Sequence, residues 1–147
     1  MAVSYTNFGE VETQGVDFGL NVFISPEWRA HASYSWFDFN IKDQVPGDPL
    51  VPNAPENQAS VGLAYVADKF DVGLDFRWVD EFAWSVGTLY RGTVPSYETA
   101  DLTANYRFTD NWEIGLNVSN VFDNAHYEAF GGDVLGRRAL GHVAYRW

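Results

Sequence analysis

The chain has 147 residues, about one domain's worth, and no cysteine, which removes disulfides, thiolate metal sites and cysteine nucleophiles together. Hydrophobic residues make up 46% and aromatic residues 17% of it, which excludes a disordered tail and exceeds what an ordinary soluble core uses. Nine basic against 20 acidic residues give a net charge of −11, which argues against nucleic acid as a partner and makes cations the species attracted.

Taken in chain order, the sequence alternates with period two almost throughout and carries no sustained helical stripe. Val16, Phe18, Leu20, Val22 and Ile24 oppose Gly15, Asp17, Gly19 and Asn21, which predicts a first strand ending at the turn Ser25-Pro26-Glu27. Trp28, Ala30, Ala32, Tyr34 and Trp36 then oppose Arg29, His31, Ser33 and Ser35. A long, proline-rich connection runs from about Lys42 to Glu56. Next, Ala59, Val61, Leu63 and Tyr65 oppose Gln58, Ser60 and Gly62, followed by a turn around Ala67-Asp68-Lys69. Phe70, Val72, Leu74, Phe76 and Trp78 oppose Asp71, Gly73, Asp75 and Arg77, and a second irregular connection is expected from about Ser85 to Ser96. Leu102, Ala104, Tyr106 and Phe108 oppose Asp101, Thr103, Asn105 and Arg107; after the turn Thr109-Asp110-Asn111, Trp112, Ile114, Leu116 and Val118 oppose Glu113, Gly115, Asn117 and Ser119. The third long connection, Asp123 to Gly136, leads to Ala139, Gly141, Val143, Tyr145 and Trp147 opposite Arg138, His142 and Arg146.

This is an all-β pattern of seven strands with short turns at one end and long loops at the other, and residues 1–147 read as a single domain. No apolar run reaches the roughly 20 residues of a membrane helix, but alternating strands can cross a bilayer as a barrel. A soluble ligand-binding barrel would alternate in the same way. Three features favour lipid. Large aromatics flank the strands as a girdle (Trp28, Trp36, Phe70, Trp78, Tyr106 and Trp112), and the pairs Trp28/Trp36 and Phe70/Trp78 are spaced to span roughly 20 Å along the membrane normal. The opposite face carries Gly, Ser, Asn, Thr and isolated charges rather than the Lys and Glu of a soluble surface. The strands are about ten residues or longer, whereas soluble strands average about five or six. The reading is an antiparallel transmembrane β-barrel, or barrel segment, of seven to eight strands.

Several phrases in order resemble the TonB-dependent outer-membrane receptors, in the last third of their barrel. They are Asn7-Phe8-Gly9 leading to Gly15-Val16-Asp17; Val51-Pro52-Asn53-Ala54-Pro55; Val94-Pro95-Ser96-Tyr97-Glu98-Thr99-Ala100-Asp101-Leu102; Tyr106-Arg107-Phe108; Asn120-Val121-Phe122-Asp123; and Gly136-Arg137-Arg138 before Tyr145-Arg146-Trp147. The resemblance implies an outer-membrane location in a Gram-negative bacterium and a part in uptake of a scarce nutrient, of siderophore, vitamin or glycan class. The family's barrel has about 22 strands around an N-terminal plug. The sequence holds no plug, and Met1-Ala2-Val3-Ser4-Tyr5 does not read as a secretory signal, so the expectation is a mature form or an excised piece with no gated import of its own. The alternative is a small autonomous outer-membrane barrel with a structural or surface-interaction role.

The first and last of seven antiparallel strands run the same way, so this ring closes by itself only through one parallel seam. Either residues Val3 to Phe8 supply an eighth through a turn at Gly9-Glu10, or the edges Val11 to Ile24 and Arg137 to Trp147 pair with a second copy or a complementary barrel or plug chain. The remaining expected partners are the lipid bilayer and the barrel assembly machinery, for which Val143, Tyr145 and Trp147 form the recognition signal.

No catalytic residue, metal site or cofactor is expected. His31, His126 and His142 lack a nucleophile motif beside them and read as hydrogen-bonding residues. Arg29, His31, Asp71, Asp75, Arg77, Asp101, Arg107, Glu113 and Arg138 are placed in the lumen, as a ladder of ion pairs ahead of a solute path. Loop acids Asp43, Asp48, Asp80, Glu81, Glu98, Asp123, Glu128 and Asp133 read as a solvated rim in preference to a calcium site. Phe82, Trp84, Tyr90, Tyr127 and Phe130 are candidates for gripping a ligand, with an outer girdle as the equal alternative.

Overall fold

The computed structural model describes residues 9–44, 46, 50–87 and 89–147. These form nine strands and no helix: β1 (Gly9–Phe23), β2 (Trp28–Gln44), β3 (Asn57–Val66), β4 (Phe70–Val79), β5 (Phe82–Val86), β6 (Tyr90–Val94), β7 (Tyr97–Arg107), β8 (Trp112–Ser119) and β9 (Arg138–Tyr145). The main sheet is an antiparallel meander in the order β1-β2-β3-β4-β7-β8-β9, and β5 with β6 is a separate hairpin. The seven alternating segments are thus the seven strands of the main sheet. Among the described residues β1 and β9 each have one neighbour, so the sheet they form is open.

Two of the three short turns are closed in the same way. Ser25 Oγ accepts the backbone N–H groups of Glu27 and Trp28, and Thr109 Oγ1 accepts those of Asn111 and Trp112. Each hydroxyl therefore closes a tight reversal that delivers a Trp as the first residue of the next strand. The turn Ala67-Asp68-Lys69 has no such hydroxyl; Arg107 reaches across from β7 and donates to the carbonyls of Ala67 (2.9 Å) and Asp68 (3.0 Å).

The apolar face of the sheet is bare. Val16, Phe18, Leu20, Val61, Leu63, Leu74, Ile114, Leu116 and Val143 are all exposed, which no water-soluble sheet of this size sustains. Buried apolar residues, in contrast, are few among the described residues: Val79, Phe82, Val94 and Tyr97 lie together, and Ala100 is buried outside that cluster. Aromatic rings line the turn end of the apolar face in two runs of contact. Trp28 meets Tyr65 (4.9 Å between centroids), which meets Phe70 (5.5 Å); Phe108 meets Trp112 (6.2 Å), Trp112 meets Tyr145 (4.9 Å) and Tyr145 meets Trp147 (6.5 Å). Phe70 pairs with Tyr106 in register, between the two runs. Trp36 and Trp78 stand toward the loop end.

Four expectations are corrected. β2 runs to Gln44, past the Lys42 at which the long connection was expected to begin, against a β1 that begins at Gly9. Over this extension the faces exchange character: Gln14 pairs with Asp38 (3.0 Å) and Lys42 with Glu12 (2.8 Å) on the side that below is apolar, while Phe37 and Phe39 occupy the side that below is polar. The strand continues past the apolar band with its polarity inverted, and a reading that follows one apolar face loses it there. Second, Gly9 and Glu10 belong to β1, paired with Gln44 and Asp43, and do not form a turn into an eighth strand; Val3 to Phe8 lie outside the described residues. Third, the connection from Ser85 to Ser96 is not irregular: most of it belongs to the β5–β6 hairpin, reversed with Gly87 at φ 64°. Fourth, β9 stops at Tyr145, and Arg146 is held instead by Asn111, whose carbonyl accepts its N–H and whose amide donates to its carbonyl.

Facing is testable on adjacent residues of one strand. Leu74 is in the middle of the apolar face, in register with Leu63 and Leu102, while at Gly73 a side chain would enter open space on the other face. Leu74→Arg is expected to destabilise the protein folded into phosphatidylcholine vesicles by about 2–4 kcal/mol, and Gly73→Arg by less than about 1 kcal/mol, in urea titrations. Equal losses from both would refute the assignment of faces.

Candidate functional site

The polar face is knit by pairs between strands. Arg107 makes a forked contact with Asp71 (2.7 and 3.0 Å) and lies 3.6 Å from Glu113, which His142 and Arg146 also approach at 3.9 Å. Ser33 bonds Ser60 at 2.8 Å, and Thr103 Oγ1 donates to Asn117 at 3.0 Å. His31 on β2 reaches Asp75 on β4 at 3.1 Å across the intervening β3, because the residue between them is Gly62. A Cβ there would collide with both the imidazole and the carboxylate. Gly115 plays the same part on β8, with His142 of β9 on one side and Asn105 of β7 on the other. Of the other lumen candidates, Arg29 lies over the Phe23 ring at 5.5 Å, Arg77 and Asp101 serve the outer loops, and Arg138 begins β9 opposite Ser119.

At the loop end the same face becomes a packed clasp, built from the sequence phrases that are most distinctive. Asn120 is 3% exposed with φ 54°; its backbone N–H donates to Asp101, and its side-chain amide both donates to the Asn124 carbonyl and accepts the Asn124 N–H. Asp123, also left-handed at φ 57°, accepts the N–H of Arg137 at 2.9 Å and so ties the two ends of the 120–137 loop together. His126 is buried and stacks on Tyr97 at 4.5 Å between centroids, with Arg77 over the Tyr97 ring at 5.5 Å and bonded to Glu128 at 2.6 Å. His126 Nδ1 donates to the Asn124 carbonyl, which fixes the tautomer, since a carbonyl can only accept. The loop is thereby folded inward over the polar face.

The five aromatic candidates separate. Phe82 is taken up by the buried cluster and Trp84 packs against it, 6.0 Å away. Phe130 covers Gly92 of β6, joining the 120–137 loop to the hairpin. Tyr90 (71% exposed) and Tyr127 (42%) remain open to solvent. The loop acids do not gather: among the described residues no three His, Asp or Glu side chains are grouped to hold a metal, and Asp48 lies outside those residues.

What the alternation reading misses is a cavity of about 510 Å³ at the loop end, lined by Phe37, Phe39, Pro52, Ala54, Glu56, Asp80, Glu81, Phe82, Ala83 and Thr93. Its walls are braced. Asn53, at φ 53°, exchanges two side-chain hydrogen bonds with the backbone of Ser85 (2.9 and 2.8 Å), and the Asn57 amide donates to Asp80. The inversion of polarity beyond Trp36 is the one sequence signal that would have located it, because it aims Phe37 and Phe39 inward.

The clasp makes a graded prediction at Asn120. Asn120→Gly tolerates the positive φ but forfeits the side-chain hydrogen bonds; Asn120→Ala forfeits both. Protease cleavage within residues 124–136 is expected to rise in the order wild type, Gly, Ala, with about 1 kcal/mol between the two variants from the backbone strain. An Ala variant no more labile than the Gly variant would contradict the strain.

Comparison with known proteins accounts for these features together. Residues 2–121 match the family model described as "TonB dependent receptor-like, beta-barrel". The chain is 26% identical over 98% of its length to the probable TonB-dependent siderophore receptor PiuA of Acinetobacter baumannii, and 27% identical over 85% to the ferrioxamine B receptor of Salmonella typhimurium strain LT2; it spans 22% and 19% of them. Among solved structures it superposes on the siderophore receptor PiuA of Acinetobacter baumannii with a TM-score of 0.75 (24% identity, 93% of this chain, 22% of that one). It also superposes on the ferric-catecholate import receptor Fiu of E. coli K12 with a TM-score of 0.74 (21% identity, 94% of this chain, 21% of that one). The chain thus covers about a fifth of the curated relatives it matches. It belongs to the family of TonB-dependent receptor β-barrels, proteins of the Gram-negative outer membrane.

Proposed function

We propose that this chain forms seven strands and three outer loops of a TonB-dependent receptor that imports a scarce nutrient, of the siderophore, vitamin or glycan class. The observation that carries the reading is the inward fold of the 120–137 loop and the β5–β6 hairpin, which puts exposed aromatics and a braced cavity at the mouth on the interior face of a barrel wall. In this reading β1 and β9 are flanked by further barrel strands, which satisfies their free backbone groups. The apolar face meets lipid, and residues 1–147 are part of one barrel domain. The polar-face ion pairs hold the wall, and no residue has a catalytic role.

A strain lacking the protein, grown under iron limitation on a panel of ferric siderophores and assayed for cobalamin and oligosaccharide uptake, is expected to lose at least one substrate. The wild-type gene should restore it only in cells that have TonB. Unchanged uptake of every substrate would leave the small structural barrel as the better reading. The β9 end supports a further proposal, that Val143, Tyr145 and Trp147, all exposed at the sheet edge, are read by the barrel assembly machinery. Tyr145→Ser with Trp147→Ser is expected to lower folded protein in the outer membrane about tenfold by immunoblot, with the messenger level unchanged.

A further inference from the structure

The cavity behind β2 has a composition that the rest of the mouth does not share. Its floor is aromatic, from Phe37 and Phe39 with ring centroids 6.4 Å apart, and its rim carries three carboxylates, Glu56, Asp80 and Glu81, with no Lys, Arg or His in the lining. Asp80 is partly satisfied by the Asn57 amide and by the N–H of Glu81, whereas Glu56 and Glu81 form no ion pair among the described residues. At about 510 Å³ the space suits a small-molecule segment, and its walls are fixed in advance by the Asn53–Ser85 exchange. Carboxylates beside apolar rings attract a cation carried on an organic chain, since the charge meets the acids while its methylenes and the ammonium edge lie on aromatic faces. A bare metal ion is the poorer fit, because no three His, Asp or Glu side chains among the described residues converge on a point.

We propose that this cavity receives the cationic arm of the receptor's ligand, a protonated amine seated against Glu56 and Glu81 with its adjoining apolar chain on Phe37 and Phe39. The inference rests on the receptor reading above and narrows it: the substrate is a chelate or other nutrient with a free ammonium, and not a polyanion such as a bare ferric catecholate. The contact selects among ligands by charge at the point of entry, before anything passes along the barrel.

Three ferric trihydroxamates that differ only at one terminus test it: a free ammonium, its neutral N-acetyl derivative and its anionic N-succinyl derivative. Binding is read by tryptophan fluorescence quenching on the full-length receptor in detergent. The ammonium form is expected to bind about tenfold more tightly than the acetyl form, and the succinyl form more weakly still. In the Glu56→Gln/Glu81→Gln variant the first two should agree within about twofold, and raising salt should shrink the wild-type gap. Phe37→Ala/Phe39→Ala should weaken all three together. Heat-modifiable mobility of each variant on gels checks that the barrel is folded. Equal binding of the three, preference for the anion, a charge gap that survives the Gln variant, or no binding by any of them would each overturn the inference. The receptor reading stands or falls separately: if the deletion strain loses uptake of some nutrient while the charge series binds alike, only the cationic-arm assignment is lost.

Discussion

In hydrocarbon a backbone N–H or C=O has no water to turn to, and each one left unpaired costs several kcal/mol. This single obligation accounts for the gross form of the chain: strands and no helix among the described residues, an antiparallel order from β1 to β9, and tight turns, two of them completed by a serine or threonine hydroxyl and the third by Arg107. It also accounts for what the sheet lacks. A soluble sheet of this size would bury one face, whereas here the apolar face is bare along its length and the few buried apolar residues sit where the loops fold over the opposite side.

The point where lipid stops is written into β1 and β2. Up to the Val16–Trp36 pair the outward residues are apolar; beyond it they are Gln14, Asp38, Glu12 and Lys42, and the aromatics Phe37 and Phe39 turn inward. The same backbone, now paired with β1 alone and with one register shift between Glu10 and Val11, changes solvent. Once outside the bilayer the hydrophobic effect acts in its ordinary direction and pulls apolar side chains toward the protein interior. That reversal supplies the aromatic floor of the cavity and gives the hairpin β5–β6 a surface to lean over.

How much of this was legible in the sequence depended on how constant the local rule was. All seven main strands could be read because a period of two with one apolar face persists through the membrane band, and the turns could be read from Ser25-Pro26 and Thr109-Asp110. The exchange of faces along β2 beyond Trp36 and the β5–β6 hairpin escaped because the alternation changes sides or is too short to register, as in Phe82–Val86. The phrases that marked the family were visible, but their physical purpose was not: that Tyr97, Asp101, Asn120 and Asp123 meet in one clasp follows from two left-handed residues and pairings between residues 14 to 29 positions apart, which no window of sequence displays. The cavity needed four separate segments to be brought together, and its acids read in the sequence as ordinary rim charges.

Gly62 and Gly115 carry one more consequence. Each occupies a middle strand beneath an imidazole that comes from a neighbouring strand and points to a polar group on the next. Strands in a ladder can in principle slide by one or two residues and re-form every hydrogen bond, so pairing alone does not choose an alignment. Here it is chosen, because sliding β3 by two residues against its neighbours would thrust Ser60 or Ala64 into the space the His31 ring needs, and sliding β8 would do the same to His142 with Glu113 or Asn117. The two absent side chains thus act as keyways, and an insertion that zips its strands together in the wrong alignment meets a steric stop before it can become a stable product.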